Sequence, residues 1–306
     1  MAFKGTTKRK AFHIINRLEV VGGELNAYTT KEKVYFYASL LKNHYERAFE
    51  LLTDITFNST FPEREIEREK GVILEEMAMY QDTPDDLLFD KFDELVFQGH
   101  DLERNILGTE KSVKGFKQDD FIKFATRNLA KGRVAFLSVG DISIEKVQKL
   151  SKKYLEPIVL PEAPVKQKEI IDFTPQIVEE RHNISQVHMV MGRPALGVRH
   201  EDRIALFMLS HLLGGGSLSS RLNMELREKK GLVYNTESFY HTFTDTGLLG
   251  VYFSTELNNF NKAQKIVSRE LKRLQTELLG KIQLSNLKDQ LCGQLAMAEE
   301  SNSGMM

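Results

Sequence analysis

One order of elements occurs twice along this chain, and it constrains the fold more than any other feature. In the first copy Ala11, Phe12, Ile14, Ile15, Leu18 and Val21 recur at helical spacing, and the helix stops at Gly22-Gly23. "ELNAYTTKEKVYFYASLL" then alternates like two adjacent strands, and "HYERAFELLTDITF" returns to helical spacing. In the second copy "SLSSRLNMELREKKG" reads as a helix halted at Gly231, with Lys229 and Lys230 suited to its last turn. "LVYNTESFYHTFTDTGLLGVYFST" gives paired strands, and "NNFNKAQKIVSRELKRLQ" closes as a helix. Two α+β domains of similar plan are the natural reading. A chance echo of a common order is the alternative that pattern alone leaves open.

The rest of the sequence fits that division. Its 306 residues suffice for two domains of about 150 residues each. Four of the seven prolines fall in "PIVLPEAPVKQKEIIDFTP", a stretch without periodicity that reads as a linker over 157–175. The expected domains are therefore 1–156 and 176–306. Within the first, Pro62 sits where the first position of a helix through about Tyr80 is expected, and Pro84 opens another. "GRVAFLSVGDIS" predicts a strand, followed by the helix "IEKVQKLSKKYL".

Composition excludes several classes. With 42 basic against 43 acidic residues there is no electrostatic footprint for nucleic acid or an anionic membrane surface. No apolar run approaches membrane-spanning length. Cys292 is the only cysteine, so neither a disulfide framework nor a thiolate metal site is available, and a reducing, cytoplasmic setting is expected.

The chemistry concentrates in "EREIEREKGVILEEMAMYQ", residues 63–81. Ile66, Glu69, Ile73, Glu76 and Tyr80 share one helical face that ought to be apolar, yet two of its positions are carboxylates. Neither has a basic residue one turn away. Buried without a partner they would be costly, so they are expected to bind a cation, hold a proton or meet a second domain. A rim position, with both glutamates reaching water, is the other reading. The eight histidines give no pair at the spacing of an HExxH or HxxEH helix. His182 and His188 could share a strand face, and His211, four residues after Phe207, reads as a satisfied core histidine. "GGGSLSS" at 214–220 lacks the lysine of a phosphate loop and reads as a flexible substrate-facing loop. Arg227 and Tyr234 flank the Gly231 turn, where they could hold a substrate carbonyl or carboxylate, or simply pack at the surface.

"MAFKGT", "GGELNAYTTKEKVYFYASLL", "EREKGVILEEMAMYQDTP", "NILGTEKSVKGF", "SVGDIS" and "LLGGGSLSSRLNMELREKKGLVY" follow one another nearly end to end. Together they resemble the pitrilysin/insulinase family of zinc peptidases, nearest its mitochondrial-processing-peptidase-like bacterial members. The resemblance implies two similar domains, each an antiparallel or mixed sheet flanked by helices, facing each other around a chamber. It implies a zinc-dependent endopeptidase cleaving unfolded peptides, with one zinc per full-length chain. In that family an HxxEH motif directly precedes a segment similar to "MAFKGT". The chain is thus expected to be an inactive fragment, without its two zinc histidines, its general-base glutamate, its zinc and the last part of domain two. Counted from a histidine just before Met1, the family's glutamate ligand falls on Glu76, and its supporting catalytic glutamate on Glu69. Asn26 and the backbone near Ala27 match the edge strand that holds an extended peptide by strand addition. Arg227 and Tyr234 match the pair that reaches the substrate from the second domain, the tyrosine helping to stabilise the tetrahedral intermediate. A homodimer, or a heterodimer with a related subunit, is expected. The family also holds subunits without zinc motifs, so a non-catalytic partner of a peptidase is the alternative function.

Overall fold

The structure is a computed structural model that describes residues 1–129, 133–160, 162, 173–302, 304 and 305. It divides into two units. Unit 1 holds Met1–Ala78, Ile106–Val165 and Ala298–Met306, and unit 2 holds Met79–Asn105 and Lys166–Met297. Residues 163–172 of the expected linker lie outside the described residues. Both units are α+β with antiparallel sheets, as the repeated order predicts.

In unit 1, helix α1 (Ala11–Glu19) buries Ile14 and Leu18 against Ala48, Leu51 and Ile55 of α2 (Tyr45–Phe57). Strands β1 (Glu24–Thr29) and β2 (Val34–Ser39) pair from Glu24–Ser39 to Thr29–Val34. Their alternation sends Leu25, Phe36 and Ala38 into that same core. Asn26, Tyr28, Tyr35 and Tyr37 stand on the opposite face by register. Next comes α3 (Glu63–Gln81), which follows Pro62 rather than including it and carries Glu63 and Glu65 in its first turn, where they complement the helix dipole.

The strand expected over "GRVAFLSVG" does not form: described residues 133–139 are irregular. A strand exists only where a neighbour completes its ladder, and none runs beside this segment among the described residues. Its Phe136 instead packs on Phe49, ring centroids 4.3 Å apart.

In unit 2, α4 (Pro84–Val96) begins at a proline and lays Phe92 and Val96 against Val190, Phe239 and Leu248. Those residues belong to a sheet in the order β3-β5-β4, made of β3 (Val187–Ala195), β4 (Val233–Thr242) and β5 (Gly247–Thr255). After the shorter α5 (Glu110–Gly115), α6 (Gln118–Asn128) and α7 (Ile144–Tyr154) of unit 1, the chain adds α8 (Arg203–Gly214), α9 (Phe260–Thr276) and α10 (Lys281–Ala298). A second core joins Leu213 of α8, Leu222, Leu226, Val251, Phe253 and Val267 of α9. His188 lies in β3 but His182 precedes it in irregular chain, so the two do not share a strand face.

Candidate functional site

The α3 carboxylates differ from expectation and from each other. Ile66 is buried and anchors the face, while Glu69 is half-buried with its Oε1 2.7 Å from Lys4 Nζ. Lys4 reaches it because the first ten residues are clamped to α2. Thr6 Oγ1 donates to the buried Asp54 Oδ2 at 2.8 Å, Arg9 pairs with Asp54 and Glu50, and Thr60 N–H donates to Gly5 O at 3.0 Å. Burial lowers the Met1 amine from its ordinary value, while the nearby Glu69 pulls it the other way. Glu69 therefore has a cation, supplied from outside the helix. Glu76, two turns further on, is exposed, and water offsets its charge. No helical spacing could have revealed Lys4 as the partner, since it comes from a distant part of the chain.

Zinc needs three or four nitrogen, sulfur or oxygen ligands in tetrahedral array. Among the described residues no group of three or more His, Cys, Asp or Glu side chains could hold a metal ion. With Glu69 committed to Lys4 and Glu76 facing water, the residues present do not fit a zinc site.

On β1 the Oδ1 of Asn26 accepts the N–H of Ala27 at 2.8 Å. Beside it lies a cluster absent from the sequence reading: Tyr28 stacks on Tyr35 with centroids 4.4 Å apart, and Tyr37 meets Tyr28 edge-on at 6.0 Å. The alternation of "VYFYA" against "NAY" was the available signal.

In unit 2 both predicted residues sit on irregular backbone. Asn223–Glu228 is π-helical, so Arg227 lies in a conformation that is rare and often found at functional sites. The turn after it is fixed by Gly231 at φ 56° and by Leu232 N–H donating to Leu226 O at 2.8 Å. The β4–β5 register then slips between Val233 and Asn235, which leaves Tyr234 as the extra residue of a β-bulge. Tyr234 is exposed, and its hydroxyl donates to Glu256 Oε1 at 3.2 Å. That bond, reinforced by the charge of Glu256, raises the phenol above its ordinary value.

The glycine-rich loop serves packing first. A Cβ on Gly214 would lie 2.5 Å from Ser238 N of β4, and one on Gly215 would strike the His211 ring. His211 stacks on Phe207, but its Nε2 is buried with no hydrogen-bond partner, so it is not the satisfied core histidine expected. Glu69 and Glu76 thus share one helix face of unit 1, and Arg227 and Tyr234 flank one turn of unit 2.

Comparison with known proteins names the class these features define. Residues 1–110 match the family described as Insulinase (Peptidase family M16), and residues 115–291 match the Peptidase M16 inactive domain. The chain is 32% identical over 306 residues to the uncharacterized zinc protease YmxG of Bacillus subtilis (strain 168), covering 100% of this chain and 74% of that protein. It is also 32% identical to an uncharacterized zinc protease of Rickettsia felis, covering 98% of this chain and 72% of that one. The crystal structure of a peptidase M16 inactive domain from Pseudomonas fluorescens matches the fold with a TM-score of 0.89 at 20% identity, over 96% of this chain and 72% of the other. A protease from Helicobacter pylori matches with a TM-score of 0.86 at 23% identity, over 99% and 75%. This chain belongs to the insulinase family of metallopeptidases, family M16, in which zinc is the metal at family level.

Proposed function

We propose that this chain is a peptide-holding member of a zinc endopeptidase family, one that binds unfolded peptides and, as it stands, does not hydrolyse them. Strand β1 offers its backbone around Ala27 to an extended peptide, and unit 2 offers Arg227 and Tyr234 as polar groups for a peptide carbonyl. The observation that carries this reading is the coincidence of two backbone irregularities, a π-helix at Arg227 and a bulge at Tyr234, with the two residues whose chemistry suits a substrate. Glu76 is the carboxylate this chain would offer a zinc ion, and without further donors it does not retain one.

A second reading, a non-catalytic subunit that pairs with an active relative, is favoured by the Lys4–Glu69 pair, which neutralises that carboxylate with no metal. Anisotropy of a labelled unfolded peptide tests the first reading. Binding is expected, with the peptide intact by mass spectrometry, and Arg227→Ala should weaken it about 10-fold or more through loss of a charged hydrogen bond. Absence of binding contradicts the proposal. A faster peptidase rate of a catalytically complete relative on adding this chain would favour the second reading.

A further inference from the structure

A strand's backbone donors must each find an acceptor, and among the described residues β1 pairs with β2 alone. Its other side is an edge, the surface on which strands add and proteins aggregate. Along an antiparallel strand, successive residues turn their N–H and C=O to opposite sides. Leu25, Ala27 and Thr29 therefore point their donors the same way, with Ala27 in the middle. The middle donor is already taken, by the Oδ1 of the preceding Asn26 at 2.8 Å. A carboxamide is chemically one peptide group, so its oxygen is the same acceptor that a neighbouring main chain would bring. Asn26 is exposed, so it can leave without disturbing the core.

We infer that Asn26 guards the β1 edge: its side-chain amide stands in for the main chain of an incoming extended peptide, which must displace it to pair with Ala27. The inference rests on β1 as the peptide-receiving strand and adds a competing group to it. Any added strand that spans Leu25 to Thr29 meets the guard at its centre. Displacement costs the hydrogen bond but frees the Asn26 amide. The guard thus lowers affinity for every peptide alike and suppresses edge-to-edge pairing between copies.

Two measurements on the chain as it exists decide this. The first is amide hydrogen exchange at Ala27. Asn26→Ala should speed it about 2- to 10-fold, the worth of one modest hydrogen bond, while Asn26→Asp, which keeps an acceptor oxygen, should not. Unchanged exchange in Asn26→Ala overturns the inference. The second is anisotropy with a fluorescein-labelled, proline-free unfolded peptide. Asn26→Ala should bind it about 2- to 10-fold tighter, and an N-methylated peptide, which cannot add as a strand, should show no such gain. Weaker binding by Asn26→Ala would mean that the amide holds the peptide instead of competing with it, and overturns the inference. Concentration-dependent self-association of Asn26→Ala that excludes the peptide would make a second copy the occupant, and also overturns it. If no form binds the peptide, the proposed function fails, while the exchange result still decides whether Asn26 caps Ala27.

Discussion

Asp54 is almost fully buried, and Thr6, Arg9 and Asn58 all meet its carboxylate. Removing it would leave Arg9, itself mostly covered, facing a hole. Asp54→Ala should therefore cost about 3 kcal/mol, the usual scale for breaking a buried pair from one side. Urea unfolding checks this, and a loss below about 1 kcal/mol would mean the clamp on the first ten residues is loose. His211 gives the opposite case, a buried polar atom left without a partner. Burial lowers its pKa from the ordinary 6.5, so the unfolded chain takes up a proton that the folded chain refuses. Its contribution to stability is whole above about pH 6.5 and drains as pH falls from there toward the lowered folded value. His211→Phe should flatten the decline of the urea midpoint with falling pH through that window. An identical slope in both proteins would show that the imidazole is solvated.

At the scale of elements, most of the secondary structure was legible because it depends on local spacing. The glycine stops, the β1–β2 and β4–β5 pairs and the neighbouring helices α1, α2 and α9 follow from periodicities of about 3.6 and 2. What was not legible depends on neighbours distant in sequence. The apolar run at 133–139 has strand chemistry but no partner strand among the described residues. The bulge at Tyr234 arises from how β4 meets β5, and the π-helix at 223–228 interrupts what reads as an ordinary helix. At the candidate site the periodicity singled out Glu69 and Glu76, yet could not supply Lys4. Gly231 joins the two irregular pieces at φ 56°, where an L side chain is strained. Gly231→Ala should destabilise unit 2 by about 1–2 kcal/mol. A thermal melt by circular dichroism measures it, and an unchanged midpoint would mean that the turn relaxes freely.

At the scale of the whole chain, family and chemistry part company. The sequence and fold are those of a zinc-peptidase family, while the described residues bring no three metal donors together. Glu76 is exposed and Glu69 is neutralised by Lys4, so of the two only Glu76 is free to meet a zinc ion. One carboxylate does not hold zinc against dialysis. The most direct measurement is elemental analysis of the purified chain, loaded with excess zinc, dialysed, and assayed in parallel on a quenched fluorescent peptide. The account predicts zinc far below stoichiometric and no cleavage that a chelator can abolish. Stoichiometric zinc that is lost in Glu76→Gln, together with chelator-sensitive cleavage, would contradict it.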